Sequence, residues 1–222
     1  MSNAVKLLVC GFESSGKSTI TSQLEDVLVF NFDHKEYGFS VPHANIKEYN
    51  GIDWLIETIS DKLAAYEEKF GKYPSTVVFD TVTQLYSSMQ RYNGEKYKGF
   101  DEHRQNNLDT LAFNQFVEES LIPSDINVVI VAHTMYDEST SRYIIPATGA
   151  FAKAGSWLSV VNEAVFIEKK TGKLLVHTDN LKFPCRTTLK DLPTAVSSTD
   201  YSLQDHLAQL TATKVEASEY AL

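Results

Sequence analysis

The chain has 222 residues, 43% of them hydrophobic, and a net charge of −9. That supports one sizeable core and argues against a passive nucleic-acid coat, which needs clustered Lys and Arg. Two cysteines make no disulfide framework, no run approaches 18 apolar residues, and the first apolar run is too short for a signal segment, so the expectation is a soluble cytoplasmic protein without a membrane span.

Residues 5–10, VKLLVC, read as a buried strand. A helix is expected over 17–25, beginning inside a glycine-containing loop. Residues 27–32 are β-rich and end at Asp33, and a short strand or ordered loop lies around 44–46. Residues 52–70 place Trp54, Leu55, Ile59, Leu63, Tyr66 and Phe70 at spacings near three and four, which marks an amphipathic helix. Gly71 and Pro74 end it. The run TVVFD at 76–80 reads as an apolar strand stopped by an acid and is expected to lie beside the first strand. A short helix follows over 82–91. Residues 91–104, RYNGEKYKGFDEHR, carry two glycines and no periodicity, so they read as a loop.

A helical pattern returns over 105–121 with Leu108, Leu111, Phe116, Val117 and Leu121. Residues 126–132 form the clearest strand and end at His133. Residues 134–156 read as a second long loop. Strands over 160–169 and 173–178 are joined by a hairpin at Lys170-Thr171-Gly172. One domain is expected over 1–213, with a polar tail over 214–222. Strands that alternate with helices imply an α/β fold, a mostly parallel central sheet flanked by helices, with ligands at the C-terminal edge of the strands.

The segment Gly11-Phe12-Glu13-Ser14-Ser15-Gly16-Lys17-Ser18-Thr19 fits the Walker A pattern in full. Gly11 and Gly16 let the backbone turn with its amides inward. Those amides, with Glu13, Ser14 and Ser15 around them, cradle phosphate oxygens at a helix start. Lys17 reaches the β- and γ-phosphates as a point charge, Ser18 offers a hydroxyl to Mg²⁺, and Thr19 lies near the α-phosphate. No Asn-Lys-x-Asp guanine-reading sequence is present, so ATP is favoured over GTP. Asp80 is the expected second Mg²⁺ residue. Hydrolysis also needs a group to orient water. Among Asp33, His34, Lys35 and Glu36, the first choice is Glu36 and the second Asp33. His133 is expected to reach the γ-phosphate and report hydrolysis to the following loop. The bland alternatives are a chance glycine turn, a strand-end cap and a solvated charged turn.

GFESSGKST closely resembles the phosphate loop of the RecA recombinases, with ESSGK at its centre. The segment Val77–Leu85 and the run Ile130-Val131-Ala132-His133 resemble that family's second motif and its sensor strand, although RecA itself has Gln at the sensor position. The whole resembles the small phage-encoded single-strand annealing and recombination ATPases with only a RecA core. The resemblance spans about 5–185. It implies a RecA-like core, ATP and Mg²⁺ as cofactors, and Lys17, Ser18, Asp80 and an acid at 33 or 36 as catalytic residues. It also implies host-cytoplasmic location, a homo-oligomer with ATP between neighbours, and DNA-facing loops at 91–104 and 136–156.

Single-stranded DNA is the expected partner, with help from a single-strand-binding protein. Arg91, Tyr92, Lys96, Tyr97, Lys98 and Arg104 in the first loop, and Arg142, Tyr143 and Lys153 in the second, mix cations with rings that meet phosphates and bases. Lys153, Lys169, Lys170, Lys182 and Arg186 are candidates for a cation supplied to a neighbour's nucleotide. Acidic residues interrupt both loops, and packing is the plain alternative for the rings. Rival functions are a nucleotide-binding adaptor with little turnover and a small-molecule kinase.

Overall fold

Alternate residues of neighbouring strands face opposite sides of one sheet, and each side meets its own helices. A computed structural model describes residues 2–33, 35–146 and 157–218. Its main sheet contains β1 (Lys6–Gly11), β2 (Val27–Asn31), β3 (His43–Asn45), β4 (Thr76–Asp80), β5 (Asn127–His133), β8 (Glu163–Lys170), β9 (Lys173–His177) and β10 (Ala195–Ser197). Their spatial order is β10-β9-β8-β1-β5-β4-β2-β3. From β8 to β3 all neighbours are parallel, while β9 and β10 extend the sheet antiparallel, each to its inner neighbour. A separate antiparallel hairpin pairs β6 (Met135–Asp137) with β7 (Arg142–Ile144).

One face carries Leu8, Cys10, Phe30, Phe79, Ile130 and Phe166, packed against α2 (Ile52–Phe70), α3 (Val82–Lys96) and α4 (Phe100–Phe116). The other carries Leu7, Val9, Val29, Val78, Val129 and Val165. It meets Ile20 of α1 (Lys17–Thr21) and Leu203, Leu207 and Leu210 of α5 (Leu203–Ser218). Because both faces are covered, the central strands read as continuous apolar runs. Each fully buried large side chain contributes roughly 1.5–3 kcal/mol relative to exposure. No described helix is long and apolar enough to cross a membrane.

Several sequence expectations change here. β4 is not beside β1, because β5 pairs with both and lies between them. Residues 91–104 are not a loop. α3 runs through Lys96 and α4 starts at Phe100. The seam between these helices is polar, with Asn93, Asn106, Asp109 and Thr110 all buried, so the apolar periodicity that marks a helix is absent there. Leu108 and Leu111 instead face outward, 48% and 51% exposed. The second expected loop contains β6 and β7. The strand expected from 160 begins at Glu163, after a short 3₁₀ turn at Trp157–Ser159. α5 continues through Ser218, and Lys214 donates to the Ala4 carbonyl, so the first part of the expected tail is an anchored helix.

Candidate nucleotide-binding site

Parallel register collects the functional residues at one edge. Gly11 lies opposite His133 and Ile167, and Asn31 lies opposite Asp80. The C-terminal ends of β1, β2, β4 and β5 therefore surround one opening, where a cavity of about 530 Å³ is lined by residues 13–19, Asp33, Lys35, Asp80, Thr81, Gln84 and His133. A strand edge of this kind is where α/β sheets take ligands.

The loop after β1 depends on its glycines for two different reasons. A Cβ at Gly11 would sit 2.6 Å from the Ile167 carbonyl oxygen and 2.6 Å from Ser15 Oγ, so close packing excludes a side chain. Gly16 has φ +89° and caps α1 from the left-handed region, which costs an L side chain about 1–2 kcal/mol. No side chain caps the first turn of α1. Its amides are left to an incoming acceptor, the arrangement that suits phosphate oxygens.

Lys17 is buried at 5% exposure. Its Nζ donates to the carbonyls of Gly11 at 3.1 Å and Phe12 at 2.6 Å. Burial lowers its pKa to about 8 against the pull of Asp80, Cys10, Glu13 and Asp33. Ser18 Oγ donates to Asp80 Oδ2 at 2.7 Å. Burial raises the Asp80 carboxyl above its ordinary range, and Asp33 pushes the same way, while the Ser18 hydrogen bond and Lys17 oppose it. Asp80 is thus a desolvated carboxylate beside a hydroxyl. This all-oxygen pair fits Mg²⁺ shared with phosphates, since Mg²⁺ needs only one or two protein oxygens. Among the described residues, no group of three or more His, Cys, Asp or Glu side chains forms another metal site.

Of the two acids after β2, one lines the cavity. Asn31 is buried and organises the turn that follows it. Its Oδ1 accepts from the Asp33 amide at 3.0 Å, and its Nδ2 donates to the Lys35 carbonyl at 3.1 Å and to Asn45 Oδ1 at 2.8 Å. The turn brings Asp33 and Lys35 into the cavity wall. Glu36, the first choice from sequence, is exposed and is not among the lining residues. His34 lies outside the described residues.

His133 lines the cavity. Its amide donates to Thr83 Oγ1 at 3.0 Å, and its buried Nδ1 has no partner. Burial, then Lys17, lowers its pKa, so the ring is neutral near pH 7. Gln84 was not singled out from sequence. It enters because Thr81 caps α3 and accepts from the Gln84 amide, which turns the first helical residues toward the cavity. The signal was present in DTVTQ, an acid followed at once by a capping threonine.

The proposed DNA residues fall into two groups. Arg91, Lys96, Tyr97, Lys98 and Arg104 are exposed around the α3–α4 corner, and Arg142 is exposed on β7. Tyr92 is engaged in packing, edge-on to Tyr49 with ring centroids 5.4 Å apart, and its hydroxyl donates to the Asn50 carbonyl at 2.8 Å. Tyr143 lies in a ring cluster with Phe12, Tyr136, Phe166 and Phe183. Lys153 lies outside the described residues. Of the other candidate cations, Lys169, Lys170 and Lys182 are exposed, while Arg186 reaches the carbonyls of Leu158 and Asn162 at 3.5 Å.

A family model described as an AAA domain matches residues 3–150, about two thirds of the 222 residues. The chain belongs to that family. Every residue that lines the cavity falls within the matched segment, so the protein is an α/β P-loop nucleotide-binding domain of the AAA type. No curated protein matches the chain.

Proposed function

We propose that this AAA-domain protein is a Mg²⁺-dependent ATPase whose nucleotide state governs a contact with single-stranded DNA, and that it works as a homo-oligomer in recombination or annealing. The observation that carries the ATPase reading is the convergence of Lys17, the Ser18–Asp80 pair, Asp33 and His133 on one cavity. A binding-only site needs the cradle. It does not need an acid and a neutral imidazole on the opposite wall.

The reaction is ATP plus water to ADP plus phosphate. Loop amides and Lys17 hold the phosphate chain. Ser18 and Asp80 would hold Mg²⁺, which when bound neutralises charge on the β- and γ-oxygens. Asp33 orients the attacking water and accepts its proton, held in place by Asn31. His133 lines the same cavity.

Coupling to DNA is supported by two direct links. β5 leaves the cavity at His133 and continues through Thr134, whose amide donates to the Gly11 carbonyl at 3.1 Å, into the β6–β7 hairpin. Phe12 of the phosphate loop packs edge-on against Tyr143 of that hairpin, with ring centroids 4.9 Å apart. A phosphate loop that tightens on ATP therefore pushes on the element that carries Tyr136 and Arg142. These residues, with the exposed cations of the α3–α4 corner, suit a sequence-tolerant single strand. The resemblance to the small recombination ATPases points the same way, and the acidic charge makes assistance from a single-strand-binding protein reasonable.

The test is ATP hydrolysis with and without single-stranded DNA, at low and moderate salt, beside Lys17→Ala. Stimulation by DNA that disappears in the variant supports the proposal. Hydrolysis without DNA binding in any nucleotide state leaves an ATPase of other coupling. Tight nucleotide binding without turnover favours the adaptor reading.

A further inference from the structure

A second cavity, of about 230 Å³, lies between the first turn of α2 and the α3–α4 seam. Trp54, Tyr92 and Tyr97 line it, with Asp53 and the buried Asn93 and Asp109. None of these residues belongs to the nucleotide cavity.

Its two most buried polar side chains, Asn93 and Asp109, are bonded within the protein and keep spare capacity only as acceptors. Asp109, 1% exposed, accepts from Tyr49 Oη at 2.8 Å, Asn93 Nδ2 at 2.8 Å and Gln105 Nε2 at 2.7 Å. None of the ion pairs among the described residues involves it or Asp53. Asn93, also 1% exposed, spends its Nδ2 on Asn106 and Asp109, and its Oδ1 has no partner. Turning this amide over would set its oxygen against two acceptors, so the unpaired atom is the carbonyl. An orphaned buried acceptor is destabilising, while Leu108 and Leu111 of the same helix face outward.

Aromatic faces, carboxylates and an unpaired carbonyl share one complement, a cation rich in N–H donors. Lys96 Nζ already rests over the Tyr92 ring, 4.1 Å from its centroid. The uncapped N-terminus of α2 opens on the same cavity, and Asp53 in its first turn offsets that partial positive charge. A metal is disfavoured, since no group of three or more His, Cys, Asp or Glu suited to one occurs among the described residues. We propose that this cavity is a second ligand site, for an ammonium or guanidinium group. The group comes from a small free amine or from a Lys or Arg side chain of a second copy.

The test uses the chain's own fluorescence. It has two tryptophans, and Trp157 is fully buried in the core, so Trp54 reports on the cavity. Agmatine and spermidine are titrated against the whole chain with NaCl at matched ionic strength. The expected result is a saturable change in emission that Trp54→Phe removes. Asp53→Asn, at an exposed position, keeps the fold and weakens binding about threefold. Asp109→Asn, with folding checked by circular dichroism, weakens it about tenfold or more. Sedimentation velocity distinguishes the sources. A free amine binds without changing the association state. A partner's side chain predicts self-association that agmatine dissociates and Asp53→Asn weakens. The proposal is overturned if neither amine changes Trp54 emission beyond the NaCl control and any self-association is indifferent to both agmatine and Asp53→Asn.

Discussion

Raising the pH should weaken nucleotide binding while stabilising the nucleotide-free protein, and both effects come from Lys17. In the free protein burial holds its pKa at about 8. A bound phosphate chain adds negative charge beside Nζ and raises that value, so binding takes up a proton. With a free-state pKa of 8, the charged fraction falls from about 0.9 at pH 7 to about 0.1 at pH 9. Affinity that requires the charged form then falls about tenfold, or about 1.4 kcal/mol. Stability moves the other way. The ordinary lysine value is 10.5, so between pH 8 and 10.5 the unfolded chain binds more protons than the folded one, and stability rises with pH. The buried charge destabilises the folded state by about 3 kcal/mol below pH 8, and this is relieved as pH approaches 10.5. Calorimetric titration of ADP in two buffers of different ionisation enthalpy, at pH values where the phosphates are fully ionised, measures the uptake directly. About 0.9 proton per site is expected at pH 9. The thermal midpoint of the free protein is compared with that of Lys17→Met over the same range. An affinity that is flat from pH 7.5 to 9.5, with no proton uptake, would refute the reasoning.

Other perturbations separate the remaining roles. Asp33→Asn should lower kcat for ATP hydrolysis by about 100-fold or more with little change in nucleotide affinity, whereas Glu36→Gln should stay within about twofold. The reverse order would return the role to Glu36. Ser18→Ala should leave Mg²⁺-free ADP binding near its original value and remove most of the gain that Mg²⁺ gives, as read by titration with and without EDTA. Gly16→Ala should cost about 1–2 kcal/mol of stability from its positive φ and weaken nucleotide binding by pulling the loop out of its left-handed turn, since the Leu174 side chain near the added Cβ can move aside. Normal binding in that variant would show that the loop tolerates a different path.

The phosphate loop was legible because its chemistry is local. Gly11, Gly16, Lys17 and Ser18 act within one turn, and their spacing in sequence is their spacing in space. Asp80 was legible as a strand end, but its placement was not. Sequence suggested a strand beside β1, and the sheet places β5 between them. Strand order is set by which crossovers bury the most apolar surface, and no short window of residues carries that information. Which of Asp33 and Glu36 lies at the cavity was hidden for a related reason. Counting residues past a strand treats the chain as evenly extended, whereas Asn31 bends it. Its side chain holds the amide of Asp33 and the carbonyl of Lys35, so the earlier acid lines the cavity and the later one faces solvent.

The α3–α4 pair shows how pattern reading fails when a buried face is polar. Helix signals rest on apolar residues at spacings of three and four. In α4 the inward positions are Asn106, Asp109, Thr110 and Phe113, and only the last looks like core. The seam is held by hydrogen bonds among Asn93, Asn106, Asp109, Gln105 and Tyr49, each worth about 1 kcal/mol net and more where the carboxylate is the acceptor. A leucine seam of the same size would be easier to build and at least as stable. A polar seam gives up that ease and gains directionality, because each donor must find its acceptor and one register satisfies them together. Three of these side chains, Asn93, Gln105 and Asp109, also line the second cavity. The departure from the pattern and the candidate site are one feature of the molecule, so Asn106→Leu with Asp109→Leu should abolish amine binding and, because the buried Asn93 amide then loses both its acceptors, lower stability as well.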